Sequence, residues 1–168
     1  RVAKLWQEQA DTLNDGNQSD REQQRAAGRL AELMARVEPE VLRPWIAELA
    51  SDNEASLLLL ASTFGRKAHG SLNNRETEIR ANNLQVQQVL LDVVDDKYEL
   101  SEPPWQPIAV AMADWWIQEA GHTFEYAPSY RSEGRPRPHV TPAEIFDSAP
   151  GDDWTAALPD SLQERIDV

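Results

Sequence analysis

Residues 51–67 read SDNEASLLLLASTFGRK, and this stretch decides the fold that the sequence predicts. Ser51 followed by Glu54 matches a capping box, in which each side chain satisfies the free backbone amide of the other residue. The leucine run 57–60 and Phe64 then follow with no polar face between them. Because a helix that is apolar on all sides has to be buried, we expect residues 54–67 to form the central helix of the core.

Amphipathic segments on both sides of this stretch predict further helices. Apolar side chains recur at helical spacing over residues 2–13, 26–37 and 42–49, and Pro44 is expected to interrupt the third of these helices. Ser19 and Glu22 form another capping box at the start of the second helix. Later helices are predicted over residues 75–96, from Pro107 to residue 120, over 141–146 and around 158–166, with a short extended segment at 122–126.

The sequence therefore predicts an all-α fold, a compact bundle of about six or seven helices with a proline-rich, largely irregular C-terminal third. The division rests on a shift in composition, since nine of the eleven prolines lie after residue 100. We expect residues 1–126 to form a helical bundle domain. Residues 127–168 are then a proline-rich extension whose short helices pack on the same domain.

Composition and charge exclude several classes of protein. The 168 residues include 16 Lys and Arg against 29 Asp and Glu, a formal net charge of −13, and no cysteine. A chain without cysteine has no disulfide scaffold, thiolate zinc site or cysteine nucleophile, and it suits a reducing compartment, so we expect a cytoplasmic location. No apolar run is long enough to cross a membrane. The acidity opposes sequence-blind binding to nucleic acid and favours a protein partner with a basic surface.

One candidate site is an acidic stripe, defined as Asp92, Asp95, Asp96 and Glu99. These residues follow the i, i+3, i+4, i+7 spacing of one helix face. Carboxylates at a helix C-terminus oppose the helix dipole and cost about 0.3 to 1 kcal/mol each. Such a break of a local rule indicates a docking face for a basic partner. The alternative is that the helix ends near Val94 and leaves the acids in solvent.

A second candidate site is the segment 65–83, where the sign of the charge is reversed. Arg66, Lys67, Arg75 and Arg80 are interleaved with asparagines, and Arg and Asn side chains reach phosphates and base edges. The segment therefore predicts nucleic-acid contact within a larger complex as an alternative function. The competing interpretation is local electrostatics, because cations are favoured at any helix C-terminus.

The sequence gives only weak support for a catalytic or metal-binding function. His122, Glu125 and His139 are the one grouping with metal-ligand chemistry, and they suggest a metal-dependent hydrolase as a further alternative. An extended segment would point the first two to opposite faces, which favours solvated loop residues instead. No nucleophile elbow, P-loop or dinucleotide glycine pattern occurs. We therefore expect no cofactor, and the sequence favours a non-enzymatic role without excluding catalysis.

The tryptophans divide into two groups. Trp6, Trp45 and Trp116 lie on apolar helical stripes and are predicted to be core residues. Trp105, between prolines, and Trp154, beside two aspartates, are predicted to be exposed anchors for a partner. Charge, acidic stripe and missing catalytic motifs together predict a non-catalytic acidic helical module that binds a basic protein surface as an inhibitor, regulator or assembly subunit.

Overall fold

The computed structural model describes residues 1–70, 77–120 and 152–167, and within these ranges the chain forms helices and no strand. The helices are α1 (Val2–Asn14), α2 (Asp20–Met34), α3 (Pro39–Asp52), α4 (Glu54–Gly70), α5 (Thr77–Lys97), α6 (Trp105–Ala120), a 3₁₀ helix (Asp152–Ala157) and α7 (Asp160–Ile166). The predicted all-α bundle is confirmed. None of the helices so described has both the length and the apolar character needed to cross a membrane.

Helix α4 lies at the centre of the bundle, as the leucine run predicts. It packs against α2, α3, α5 and α6. Leu57, Leu60 and Phe64 are fully buried, while the leucines between them are partly covered. The neighbouring helix α5 adds two buried amides to the core: Gln87 accepts a hydrogen bond from the indole N–H of Trp116, and Gln88 lies directly after it. Burial of the apolar side chains of α4 against four neighbouring helices therefore makes this helix the centre of the core.

The helix caps agree with the sequence at α2 and differ at α4. The hydroxyl of Ser19 accepts a hydrogen bond from the Glu22 backbone amide at 3.2 Å, as the capping box predicts. The predicted cap at Ser51 is wrong, because Ser51 lies inside α3 and donates to the carbonyl four residues before it. Asn53 caps α4 instead, and its side-chain oxygen accepts from the backbone amides two and three residues ahead. Asparagine is among the best N-cap residues.

Two predictions about prolines in helices are also wrong. Helix α3 continues through Pro44, whose side chain is exposed, so the ring displaces no core residue. The missing amide removes a single hydrogen bond of the helix. Helix α6 begins at Trp105, two residues before the predicted start at Pro107. Pro107 is then the third residue of the helix, where the backbone amide has no partner within the helix in any case.

The C-terminal segment, residues 152–167, packs on α5 and α6. Leu158, Leu162 and Ile166 are buried, and Arg165 forms an ion pair with Asp114 of α6 at 2.8 Å. The predicted extended segment 122–126 and the predicted helix 141–146 lie outside the described residues. The division at residue 126 stays a prediction.

Candidate functional site

Three turns of the bundle lie at the same end. The hydroxyl of Ser56, in the first turn of α4, donates to the backbone carbonyl of Leu13 at 3.3 Å. That hydrogen bond joins the start of α4 to the end of α1. The hydroxyl of Tyr98 donates to the backbone carbonyl of Ala50, which joins the α5–α6 turn to the end of α3. The α1–α2, α3–α4 and α5–α6 turns are therefore neighbours.

This end of the bundle is strongly acidic. We define the acidic end as residues 15–22, 52–54 and 95–102, which carry two cations, Arg21 and Lys97. They also carry nine carboxylates: Asp15, Asp20, Glu22, Asp52, Glu54, Asp95, Asp96, Glu99 and Glu102. Those at the start of α2 and α4 face the positive end of a helix dipole and stabilise the helix. Asp95 and Asp96 lie instead in the last turn of α5, at the negative end of its dipole, and have no such role.

The acidic stripe belongs to this end because α5 is longer than the alternative interpretation allows. The expectation that the helix ends near Val94 is wrong, since α5 continues to Lys97. The helix does not reach Glu99 either, so the single helix face predicted for the stripe holds only for Asp92, Asp95 and Asp96. Asp95 and Asp96 therefore lie in the last helical turn, where a carboxylate is destabilising. Asp96 and Glu99 are exposed, and neither forms an ion pair with any residue that the structure describes.

Asp92 differs from the rest of the stripe, because its charge is neutralised inside the protein. A guanidinium nitrogen of Arg43 lies 2.6 Å from the Asp92 carboxylate, and another lies 3.3 Å from Glu40. The side chains of Arg43 and Asp92 are only 30% and 20% exposed, so solvent screens this pair incompletely. Burial lowers the pKa of Arg43, but the hydrogen bonds to Asp92 and Glu40 outweigh burial and raise it. Asp92 is thus a structural residue that ties α5 to α3.

The prediction that Trp105 and Trp154 are exposed anchors is wrong, since each is only 1% exposed. The indole N–H of Trp105 donates to the Glu54 carboxylate at 2.9 Å, and its ring stacks on Tyr98 at 5.9 Å. The indole N–H of Trp154 donates to the Gln88 side-chain oxygen at 3.3 Å. Burial, and then the charge of Glu54, raises the pKa of Tyr98. Contacts from distant segments cover both tryptophans, so neither presents a surface to a partner in this conformation.

The basic segment is described only in part. Arg66 is exposed, and its guanidinium donates to the Thr63 hydroxyl at 3.4 Å. It lies toward the far end of α4, away from the acidic end. Lys67 belongs to the same helix, but its side chain and those of Arg75 and Arg80 lie outside the described part of the structure. The structure therefore brings no second cation of this segment next to Arg66 among the side chains it describes.

The metal-ligand candidates His122, Glu125 and His139 lie outside the described residues. In residues 1–70, 77–120 and 152–167, no group of three or more histidine, aspartate or glutamate side chains is placed to hold a metal ion. The metal-dependent hydrolase therefore stays a prediction from the sequence.

A cleft between α1 and α3 is the site that the sequence did not predict. The rings of Trp6 and Trp45 lie 5.6 Å apart and are tilted by 40°. The cleft is shallow and open to solvent, with an enclosed volume of about 10 Å³, close to the room that one water molecule needs. Its other lining residues are Gln7, Ala10, Glu48, Leu49 and Asp52. Small-molecule pockets usually measure about 300 to 1,000 Å³. This cleft is therefore too small to enclose a substrate, and it offers only a shallow surface against which a flat group can lie.

The polar rim of the cleft is acidic. Glu48 and Asp52 are exposed and lie one helical turn apart on α3, and Gln7 is held in place by a 2.8 Å hydrogen bond to Asp11. No lysine or arginine is among its described lining residues. Trp45, predicted as core, is only half-buried. The i, i+3, i+7 spacing of Trp45, Glu48 and Asp52 was the signal available in the sequence.

Comparisons with known proteins add no family to this description. A scan against protein-family models, a search of curated proteins and a search of solved structures each gave no match to the chain.

Proposed function

We propose that this chain is a non-catalytic, acidic helical module that binds a basic surface of another protein, as an inhibitor, regulator or assembly subunit. The observation that supports the proposal is the placement of Asp95 and Asp96 in the last turn of α5. Two acids at the negative end of a helix dipole cost about 0.3 to 1 kcal/mol each. Glu99 follows them on the same exposed turn.

A basic partner converts this local cost into a favourable interaction. Lysine or arginine side chains placed against Asp96 and Glu99 are attracted both by the carboxylates and by the carbonyl end of α5. The surrounding carboxylates of the acidic end add a long-range field that speeds encounter with a cationic surface. Asp92 takes no part, because Arg43 already neutralises it.

The test uses a pair of variants with the same net charge. Asp96→Lys with Glu99→Lys reverses two charges at the acidic end. Glu8→Lys with Glu164→Lys reverses two exposed charges on α1 and α7, and neither glutamate forms an ion pair within the described residues. Each variant and the unaltered chain serve as bait in cells of the source organism, and mass spectrometry identifies the proteins recovered at low salt.

We expect the unaltered chain and the Glu8/Glu164 variant to recover the same basic protein. The Asp96/Glu99 variant should recover at least tenfold less of it. Binding of this kind also weakens as salt screens the charges. Equal recovery by the two variants, or recovery of no protein by the unaltered chain, contradicts the proposal. Recovery that nuclease treatment abolishes contradicts it as well and supports the nucleic-acid alternative.

A further inference from the structure

The cleft between α1 and α3 has a composition that selects one kind of side chain. We propose that it binds an arginine side chain presented by the basic partner, an inference that rests on the proposed function and adds a specific contact to it. The proposal uses three groups on one stripe of α3: the ring of Trp45 and the carboxylates of Glu48 and Asp52.

The first step concerns Trp45, whose setting differs from that of the structural tryptophans. Trp105, Trp116 and Trp154 are buried, and the indole N–H of each donates to a side chain. Trp45 is partly buried rather than fully buried, and it donates no such hydrogen bond to a residue that the structure describes. Contact with Trp6 at 5.6 Å tilts the two rings and leaves part of the Trp45 ring open to the cleft.

The second step concerns charge. An aromatic face attracts a cation, and arginine occurs in such contacts more often than lysine. Its guanidinium is planar, stacks on indole, and has five N–H donors in a fixed geometry that matches carboxylates. Glu48 and Asp52, three and seven residues after Trp45, supply acceptors along the same helix stripe. A guanidinium in the cleft therefore contacts both an aromatic ring and carboxylates.

The third step concerns three exposed apolar side chains, Val2, Leu5 and Val41, which we call the apolar shelf. These are the large apolar side chains that are exposed among the described residues, at 41%, 44% and 47%. Trp6 meets Trp45, and Ala10 shares the cleft with Leu49, so α1 and α3 run in the same direction. This register places the shelf beyond the Trp6–Trp45 contact. Apolar atoms of the partner next to its arginine have a surface to cover there.

The cleft and the exposed pair Asp96 and Glu99 lie on different sides of α3, although Asp52 belongs both to the rim of the cleft and to the acidic end. Arg43 and Ala50, seven residues apart, face α5. Trp45 and Asp52, also seven residues apart, face the cleft. Because residues seven apart share a helix face, the two pairs define two different faces of α3. Asp96 and Glu99 can therefore be replaced without altering a residue that lines the cleft.

The experiment titrates the isotope-labelled chain with N-acetyl-arginine amide and follows the indole N–H signals by NMR. The citrulline analogue has almost the same shape without the charge, and N-acetyl-lysine amide has the charge without the planar group. A Trp45→Phe variant assigns the Trp45 signal. The variant Glu48→Gln with Asp52→Asn removes the rim charges, and Glu8→Gln with Glu164→Gln is its matched control.

We expect the arginine probe to shift the Trp45 signal in a saturable way, the lysine probe to bind several-fold more weakly, and the citrulline probe to have no effect. Loss of both rim carboxylates weakens arginine binding about tenfold, since each exposed ion pair contributes a modest amount. The control variant binds normally.

An unmoved Trp45 signal, or equal binding of arginine and citrulline, overturns the assignment of the cleft and leaves the result at Asp96 and Glu99 intact. Self-association through the shelf, seen as a dimer by light scattering that the arginine probe does not dissociate, also overturns it. If the arginine probe binds but the Asp96/Glu99 variant recovers the same partner as its control, the proposed function fails instead.

Discussion

Trp154 fastens the C-terminal segment to the core, and replacing it by alanine tests that role. The side chain is fully buried, and its indole N–H donates to Gln88 on α5. Truncation of a buried tryptophan costs about 3 to 5 kcal/mol through lost apolar contact and the cavity left behind. It also leaves the Gln88 oxygen without this donor, and an unpaired buried polar group costs about 1 to 3 kcal/mol.

We therefore expect Trp154→Ala to lower the free energy of unfolding by about 4 to 8 kcal/mol, a large part of the 5 to 15 kcal/mol typical of a domain. Trp154→Phe keeps an aromatic ring and removes the donor, so its loss is about 1 to 3 kcal/mol. Trp45→Ala is the matched control, with a smaller loss because that side chain is only partly buried.

Urea denaturation followed by circular dichroism measures all three values. A change within about 1 kcal/mol for Trp154→Ala would refute the reasoning, because Trp154 would then contribute little to the core. The reasoning would also be refuted if Trp154→Ala left the urea midpoint unchanged and only reduced the slope of the unfolding free energy against urea concentration. In that case the segment 152–167 unfolds separately from the bundle.

Two further predictions follow from the turns at the acidic end. Asn53→Ala removes the cap of α4 and should lower the free energy of unfolding by about 1 kcal/mol, whereas Ser51→Ala should have little effect; equal effects in urea denaturation contradict this assignment. Burial raises the pKa of Tyr98, so the folded state holds the phenol proton more tightly than the unfolded state. The stability that this gives is complete below about pH 10 and is lost as pH rises through the folded pKa. Tyr98→Phe should therefore show a shallower fall in stability above pH 10, and an unchanged slope in alkaline denaturation argues against it.

The sequence predicted the helices well because periodicity reports which face of a segment is apolar. The leucine run 57–60 placed α4 at the centre, and the structure confirms it. The cap of α4 was missed because Ser51, Asp52 and Asn53 are all capable caps in succession. Which of them serves depends on where α3 ends, and that depends on tertiary packing.

The candidate site was harder to predict, because exposure is set by residues distant in sequence. Trp105 follows two prolines and resembles a loop residue, yet Glu54, 51 residues earlier, accepts its indole N–H. Trp45 lies on an apolar stripe, but a stripe does not show how completely neighbouring helices cover it. The ion pair of Asp92 with Arg43 spans 49 residues, so spacing along α5 could not reveal it.

Two adjacent glutamines on α5 fix the rotation of that helix about its own axis. Gln87 accepts a hydrogen bond from the indole N–H of Trp116, and Gln88 accepts one from that of Trp154. Neighbouring side chains of a helix point about 100° apart. Only one rotational setting satisfies both indoles, whereas an all-valine surface would tolerate several. The same setting determines which way the final turn of α5 points. Two hydrogen bonds in the buried core thus determine the side of the molecule on which Asp95 and Asp96 lie, although these residues are more than a full helical turn away.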